Sequence, residues 1–258
     1  DTMPAAYAHI RFGREQALPG KYGALPRNFP QLYTVGLQGP DLLFYHNPVF
    51  PTAKVREGHR LHAMTGQAFF KAAIDAYKKA PSDGALAYLF GVLGHYCLDS
   101  RVHPLVNQLV TSQQIDHVAL ETEFDRFLQQ RDGLVLLPSR RIGRYLRLTR
   151  GEQATAAEFY ADCGPGSIGW CLGNMRRIYR IAFSRKRKLA RFILSLGGEA
   201  GRNLIPTVGP DPRCAHLDEP LLEAYETAVQ DYPTLVRELI AAIEEDAPLG
   251  EAFAPTFG

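Results

Sequence analysis

The stretch Gly84–Pro104, GALAYLFGVLGHYCLDSRVHP, decides the fold. Pro81-Ser82-Asp83 just ahead of it supplies a stop and then an N-cap, so a helix is predicted to run from about Gly84 to Val102. Leu86, Tyr88, Leu89, Phe90, Val92, Leu93, Tyr96 and Leu98 leave that helix almost no polar face. A helix that is apolar all round belongs at the centre of a protein. His95 and Asp99 are therefore carried into the interior. Proline disfavours helical geometry in the residue before it, which places His103 at the helix terminus, free to turn toward a different partner.

Outward from this helix the apolar spacing stays helical, and no run alternates as a strand would. Ala5–Leu18 reads as a short helix bent near Gly13. Pro19 to Pro51 reads as loops around a short helix at Gln31–Gly36, and Thr65–Lys79 is helical. Thr111-Ser112 caps a helix reaching Gln130, and a short helix falls around Ala154–Tyr160. Ile168–Leu196 is one long helical stretch, and a last helix, Glu219–Glu245, is broken at Pro233. No repeat, low-complexity tract or linker interrupts the chain. Its 258 residues lie near the upper limit for one core, so the expectation is a single all-α domain spanning 1–258, a multi-helix bundle.

The 46% hydrophobic and 22% charged residues are those of an ordinary globular protein, and a net charge of +2 says little about partners. No run reaches the roughly 18 to 20 apolar residues of a membrane helix. Met3-Pro4 suits a native start and no secretory signal is visible, which favours the cytoplasm over a secreted, processed chain. Cys97, Cys163, Cys171 and Cys214 lack Cys-x-x-Cys spacing and read as core thiols.

Seven of the eight histidines lie between His9 and His117. Two pairs share one step: His95 with Asp99, and His117 with Glu121. Residues four apart on a helix share a face, about 6 Å apart along the axis, close enough to hold one ion between them. A single pair of this kind is usually a surface pair. Here the pairs fall on apolar elements, where bare carboxylates would cost several kcal/mol each or become protonated. A divalent cation removes the problem. Imidazole and oxygen donors with little sulfur suit zinc, with manganese and iron as alternatives. No His-Glu-x-x-His run, Walker loop, His-Asp dipeptide or Gly-x-Ser-x-Gly elbow competes.

Tyr7-Ala8-His9, Gly39-Pro40-Asp41, His62, His95 with Asp99, His103-Pro104, and His117 with Glu121 together resemble the zinc-dependent phospholipase C family over roughly residues 3–130. The fungal zinc nucleases that cut single strands are similar in pattern. The resemblance implies an all-helical fold around a buried polynuclear zinc site. Carried over by position, His62, His95 and Asp99 would hold one zinc, and His103, His117 and Glu121 a second. His9 and Asp99 would share a third, with Asp99 as the bridge, and Asp41 would be a ligand or the general base. His59 is the alternative to His62, which is preferred. Two features depart from the secreted phospholipases. No tryptophan precedes Trp170 to serve the third zinc, and the step from Asp99 to His103 is shorter.

Clustered divalent metals suit phosphoester hydrolysis. The leading expectation is a zinc-dependent phosphoric diester hydrolase acting on a phospholipid or another phosphodiester. A single-strand nuclease is the runner-up, and a helical metal-binding protein without catalysis the plain alternative. The basic segment Arg176, Arg177, Arg180 and Arg185 to Arg191 suits peripheral contact with anionic lipid, or nucleic acid, although a solvated helix face is the commoner meaning of such a run.

Overall fold

The computed structural model describes residues 6–47, 50–134 and 142–258. The Met3-Pro4 start and Ala5, where the sequence reading begins its first helix, lie outside them. The described residues are helical, with one isolated bridge, Thr65 to Thr256, in place of any strand.

The first half comprises α1 (Ala6–Glu15), α2 (Leu25–Asn28), α3 (Pro30–Gly36), α4 (Ala53–His62), α5 (Gly66–Lys79), α6 (Asp83–Gln113) and α7 (His117–Arg131). A 3-10 turn, Gly39–His46, joins α3 to the chain ahead of α4. The second half comprises α8 (Ile142–Tyr145), α9 (Arg150–Ala157), α10 (Pro165–Ala182), α11 (Arg187–Ser195), α12 (Gly198–Asn203) and α13 (Asp218–Glu244). The long helix α6 is the axis, packed against α3 on one side and α13 on another. It is buried without interruption from Gly84 to Ser100. Its closest neighbour is α3: a Cβ on Gly36 would stand 2.3 Å from the Tyr88 carbonyl, and one on Gly91 2.3 Å from the Tyr33 carbonyl. Only glycines let these two backbones meet.

Several boundaries differ from the sequence reading, each for a local reason. Helix α6 does not stop at Val102 but runs through Pro104, so His103 is a helical residue and not a free terminus. An interior proline costs about 3 kcal/mol; burial of Val102, His103 and Val106 on either side of it holds the helix in line. Because α6 continues to Gln113, Thr111 and Ser112 cap nothing. The turn comes at Gln114, in left-handed geometry, and Asp116 caps α7 by accepting from the Ala119 N–H at 3.0 Å. Helix α1 passes Gly13 unbroken, and α13 passes Pro233, whose exposed position lets water meet the carbonyl it frees. The stretch Ile168–Leu196 is broken between α10 and α11, where the Ser184 hydroxyl accepts from the Lys186 N–H at 3.2 Å in place of a helical carbonyl. Helix α4 was missed altogether; Thr52 caps it by accepting from the Val55 N–H.

No described helix is long and apolar enough to cross a membrane. The four cysteines are free, three of them buried.

Candidate metal centre

Five elements deliver the polar side chains to one place. Helix α6 contributes His95, Asp99 and His103, each four residues from the next and each buried. Helix α7 contributes His117 and Glu121 in its first turns. Buried His9 comes from α1, Asp41 from the Gly39–His46 turn, and His62 from the last turn of α4. Gly39 has φ +49°, and a Cβ there would stand 2.2 Å from the His95 ring. A glycine is required for the turn to bring Asp41 this close to α6.

Ligand atoms of His9, Asp41, His95 and Asp99 lie within 4.8 Å of one another, as do those of His103, His117 and Glu121. The carboxylates face the imidazoles directly. Asp99 Oδ1 is 3.2 Å from His9 Nε2, and Asp99 Oδ2 is 3.0 Å from His95 Nε2. Glu121 Oε1 is 3.3 Å from His103 Nε2 and 3.1 Å from His117 Nε2. The resemblance grouped His62 with His95 and Asp99. In the fold His9 joins His95, Asp99 and Asp41, and His62 stands behind Asp41 with Nε2 2.9 Å from Oδ1. His59 is exposed and lies against the Phe44 ring, away from both groups.

Tautomers test whether a cation fits. His62 Nδ1 donates to the Gly58 carbonyl at 2.7 Å, and His103 Nδ1 to the Phe257 carbonyl at 3.3 Å. In a neutral imidazole so held, Nε2 carries a lone pair. Both lone pairs then face a carboxylate oxygen, which is repulsive unless a proton or a cation intervenes. Nε2 of His62, His95 and His117, Asp99 Oδ2 and Glu121 Oε2 are buried without an aligned hydrogen-bond partner. Buried polar atoms are ordinarily satisfied, and imidazole nitrogens beside carboxylates are the donor set of zinc. The residues present fit that metal. A backbone carbonyl on Nδ1 is also the usual support for a metal-binding histidine.

Without a cation the groups compensate each other. Burial disfavours the charge of Asp99, but His95, His103 and His9 hold its pKa well below the usual carboxylate range. Burial likewise opposes ionised Glu121, yet His117 and His103 bring it down to about 2. His103 is driven the other way: against burial, Asp99 and Glu121 raise it to about 10. Carboxylates also raise His9, His62 and His117, whereas burial lowers His95.

A cavity of about 30 Å³ joins the two groups. His9, Asp99, His103 and Glu121 form its polar side, and Val102, Leu120 and Phe124 part of its apolar side. It has room for a water molecule or two.

Supporting residues were not foreseen. Asp125 accepts from the Tyr7 N–H at 3.0 Å and the Ala8 N–H at 2.8 Å, anchoring the first turn of the helix that bears His9. Burial pushes its pKa up to about 7, against the pull of those N–H groups and of His9. It repeats the four-residue step of His117 and Glu121, a signal the sequence did offer. The second support is the segment Pro255–Phe257. Its Phe257 ring packs against His62 and His95, and the Phe257 N–H donates to the His62 carbonyl at 3.2 Å. Buried Gln38, beside the turn that carries Asp41, has neither amide atom paired.

The family model described as zinc dependent phospholipase C matches residues 8–166, a span that contains both groups. Comparison with curated proteins and with solved structures finds no match.

Proposed function

Because the chain belongs to the zinc-dependent phospholipase C family, we propose that it is a zinc-dependent phosphoric diester hydrolase that attacks a phospholipid at its head-group phosphate with water. One observation carries this reading: two groups of imidazoles and carboxylates, with Nε2 of His95 and His117, Asp99 Oδ2 and Glu121 Oε2 left without aligned partners, border one shared cavity. A site that served structure alone would be closed by four protein ligands; the second group has three.

His9, His95 and Asp99 would hold one part of the cluster, and His103, His117 and Glu121 the other. Bound zinc would supply positive charge for the phosphoryl oxygens and lower the pKa of the attacking water. Asp41 would accept the proton of that water, since its carboxylate reaches the first group from a turn outside the main helices. His62, fixed by the Gly58 carbonyl and raised in pKa by Asp41 against burial, would in its protonated form donate from Nε2 to Asp41 Oδ1 and orient it. Val102, Leu120 and Phe124 keep bulk water from the same space, which strengthens every charge interaction inside it. We place all of this in a single domain spanning the chain.

The test is turnover on a panel of phospholipids beside single-stranded DNA, with zinc counted on the same sample. Hydrolysis of a phospholipid that follows zinc content is the expected result. Cleavage of the DNA alone would make the chain a nuclease, and zinc-loaded protein inert on every substrate would leave a metal-binding role only.

A further inference from the structure

Between Asp162 and Glu199 the chain has eight basic residues and no acidic one. Helix α11 lies in that span, and its exposed large apolar side chains are concentrated on one stripe. Leu189, Phe192, Ile193 and Leu196 are 51%, 67%, 37% and 72% exposed. Their spacing of i, i+3, i+4 and i+7 gathers them on a single helix face. Ala190 and Leu194, on a different face, are buried in a small cluster with Ala182 and Ile205, which anchors the helix. Arg185, Lys186, Lys188 and Arg191 are exposed around the stripe. Arg187 is already committed, donating to the Pro206 carbonyl at 2.6 Å.

We infer that α11 is a docking surface for an anionic phospholipid bilayer, with Leu189, Phe192, Ile193 and Leu196 entering the interface and the surrounding cations meeting the head groups. The choice of a bilayer as partner rests on the hydrolase reading above. Charge and side-chain chemistry then exclude the other occupants. A second copy docked through a twofold axis would bring the same cations face to face with no acid to meet them. A nucleic acid would satisfy the cations but gain little from Leu189, Ile193 and Leu196, which neither stack on bases nor accept hydrogen bonds. An anionic lipid surface uses both halves, since apolar insertion and cation attraction act together there. The helix is also tied to the metal centre. It packs on α10, where Asn174 donates to the Tyr45 carbonyl and Trp170 to the His46 carbonyl, both in the turn that carries Asp41.

Co-sedimentation with phosphatidylcholine vesicles, with and without phosphatidylserine, tests the surface. An Asp41→Asn background keeps the vesicles intact. Three forms are compared: that parent, a charge variant (Lys186→Gln, Lys188→Gln, Arg191→Gln) and an apolar variant (Leu189→Gln, Phe192→Gln, Leu196→Gln). The parent should bind only the phosphatidylserine vesicles. The charge variant should lose about fivefold in affinity per cation removed, and the apolar variant should lose the binding that survives added salt. With Asp41 restored, both triple variants should turn over a soluble monomeric phosphodiester at the unsubstituted rate, because every altered side chain is exposed. Equal binding by the parent and the apolar variant would overturn the proposal. So would parent binding to single-stranded DNA alone, or a dimer that only the apolar substitutions dissolve. Vesicle binding as expected, with no diester hydrolysed by any form, would sink the hydrolase reading and leave the surface standing.

Discussion

Phe257→Ala tests whether the segment at Pro255–Phe257 supports the centre or merely fills space. The ring is 0% exposed, with centroids 4.9 Å from Tyr96, 5.0 Å from Phe69, 5.8 Å from His62 and 5.9 Å from His95. Emptying such a site costs about 3–5 kcal/mol. For a chain of this size each kcal/mol moves the melting temperature by about 2–4 °C, so a fall of roughly 6–20 °C is expected. Phe257→Leu, which keeps most of the volume, should lose about 1.5 kcal/mol or less. The Phe257 carbonyl also fixes His103 with Nε2 toward Glu121, and loss of such support typically weakens metal binding about 10- to 100-fold. Melting with and without chelator, beside zinc competition against an indicator, reads both effects. An alanine variant that melts lower yet binds zinc as tightly as the parent would show that the segment only packs. A melting temperature within about 2 °C of the parent would refute the packing argument as well.

Purified protein should carry at least two zinc equivalents, and chelation should lower its melting temperature; a sample that takes up no transition metal would sink the site. In the chelated protein, His103, held up at about 10 against an ordinary 6.5, contributes stability that is complete below 6.5 and lost as pH rises through 10, while Glu121 contributes above 4.5 and loses it as pH falls through about 2. Zinc competes with protons for the imidazoles, so the gap in melting temperature between loaded and chelated protein should widen from about pH 6 to about pH 9; a narrowing gap counts against ligation by His103. Asp99→Asn should strip more zinc than Asp41→Asn, since Asp99 meets two imidazoles, whereas Asp41→Asn should keep most zinc and lose about two to four orders of magnitude in turnover. Equal zinc loss would make Asp41 a ligand of similar weight. Asp125→Ala in the zinc-loaded protein should free the first turn of α1 and lower zinc content at the group containing His9, with Asp125→Asn intermediate; unchanged content in both would remove Asp125 from the support.

How much of this was legible depends on distance along the chain. The central helix was readable because its apolar residues leave no solvent face, and His95 and Asp99 follow from it at one helical step. The regrouping of His9 with Asp41 was not readable, because it depends on how α1 and the Gly39 turn pack on α6. Pro104 misled the reading: a local preference of a few kcal/mol was set against the packing of a long buried helix, and packing prevailed. His62 was preferred over His59 on the resemblance alone; that His62 is buried beside Asp41 while His59 is exposed is visible only in the fold. Phe257 carries no local signal at all, since 154 residues separate it from the His103 it supports.

The straight course of α6 through Pro104 has an evolutionary corollary. Three candidate ligands ride on one continuous screw, where a step of four residues turns about 400° and advances about 6 Å. Substitutions between His95 and His103 leave that screw intact, but inserting or deleting one residue swings everything beyond it by about 100°. Apart from Asp99, this stretch can drift in composition but not in length, whereas the turn at Gln114–Asp116 can absorb length changes without moving His95, Asp99 or His103. The four-residue step from Asp99 to His103 thus keeps both side chains on one face of the helix.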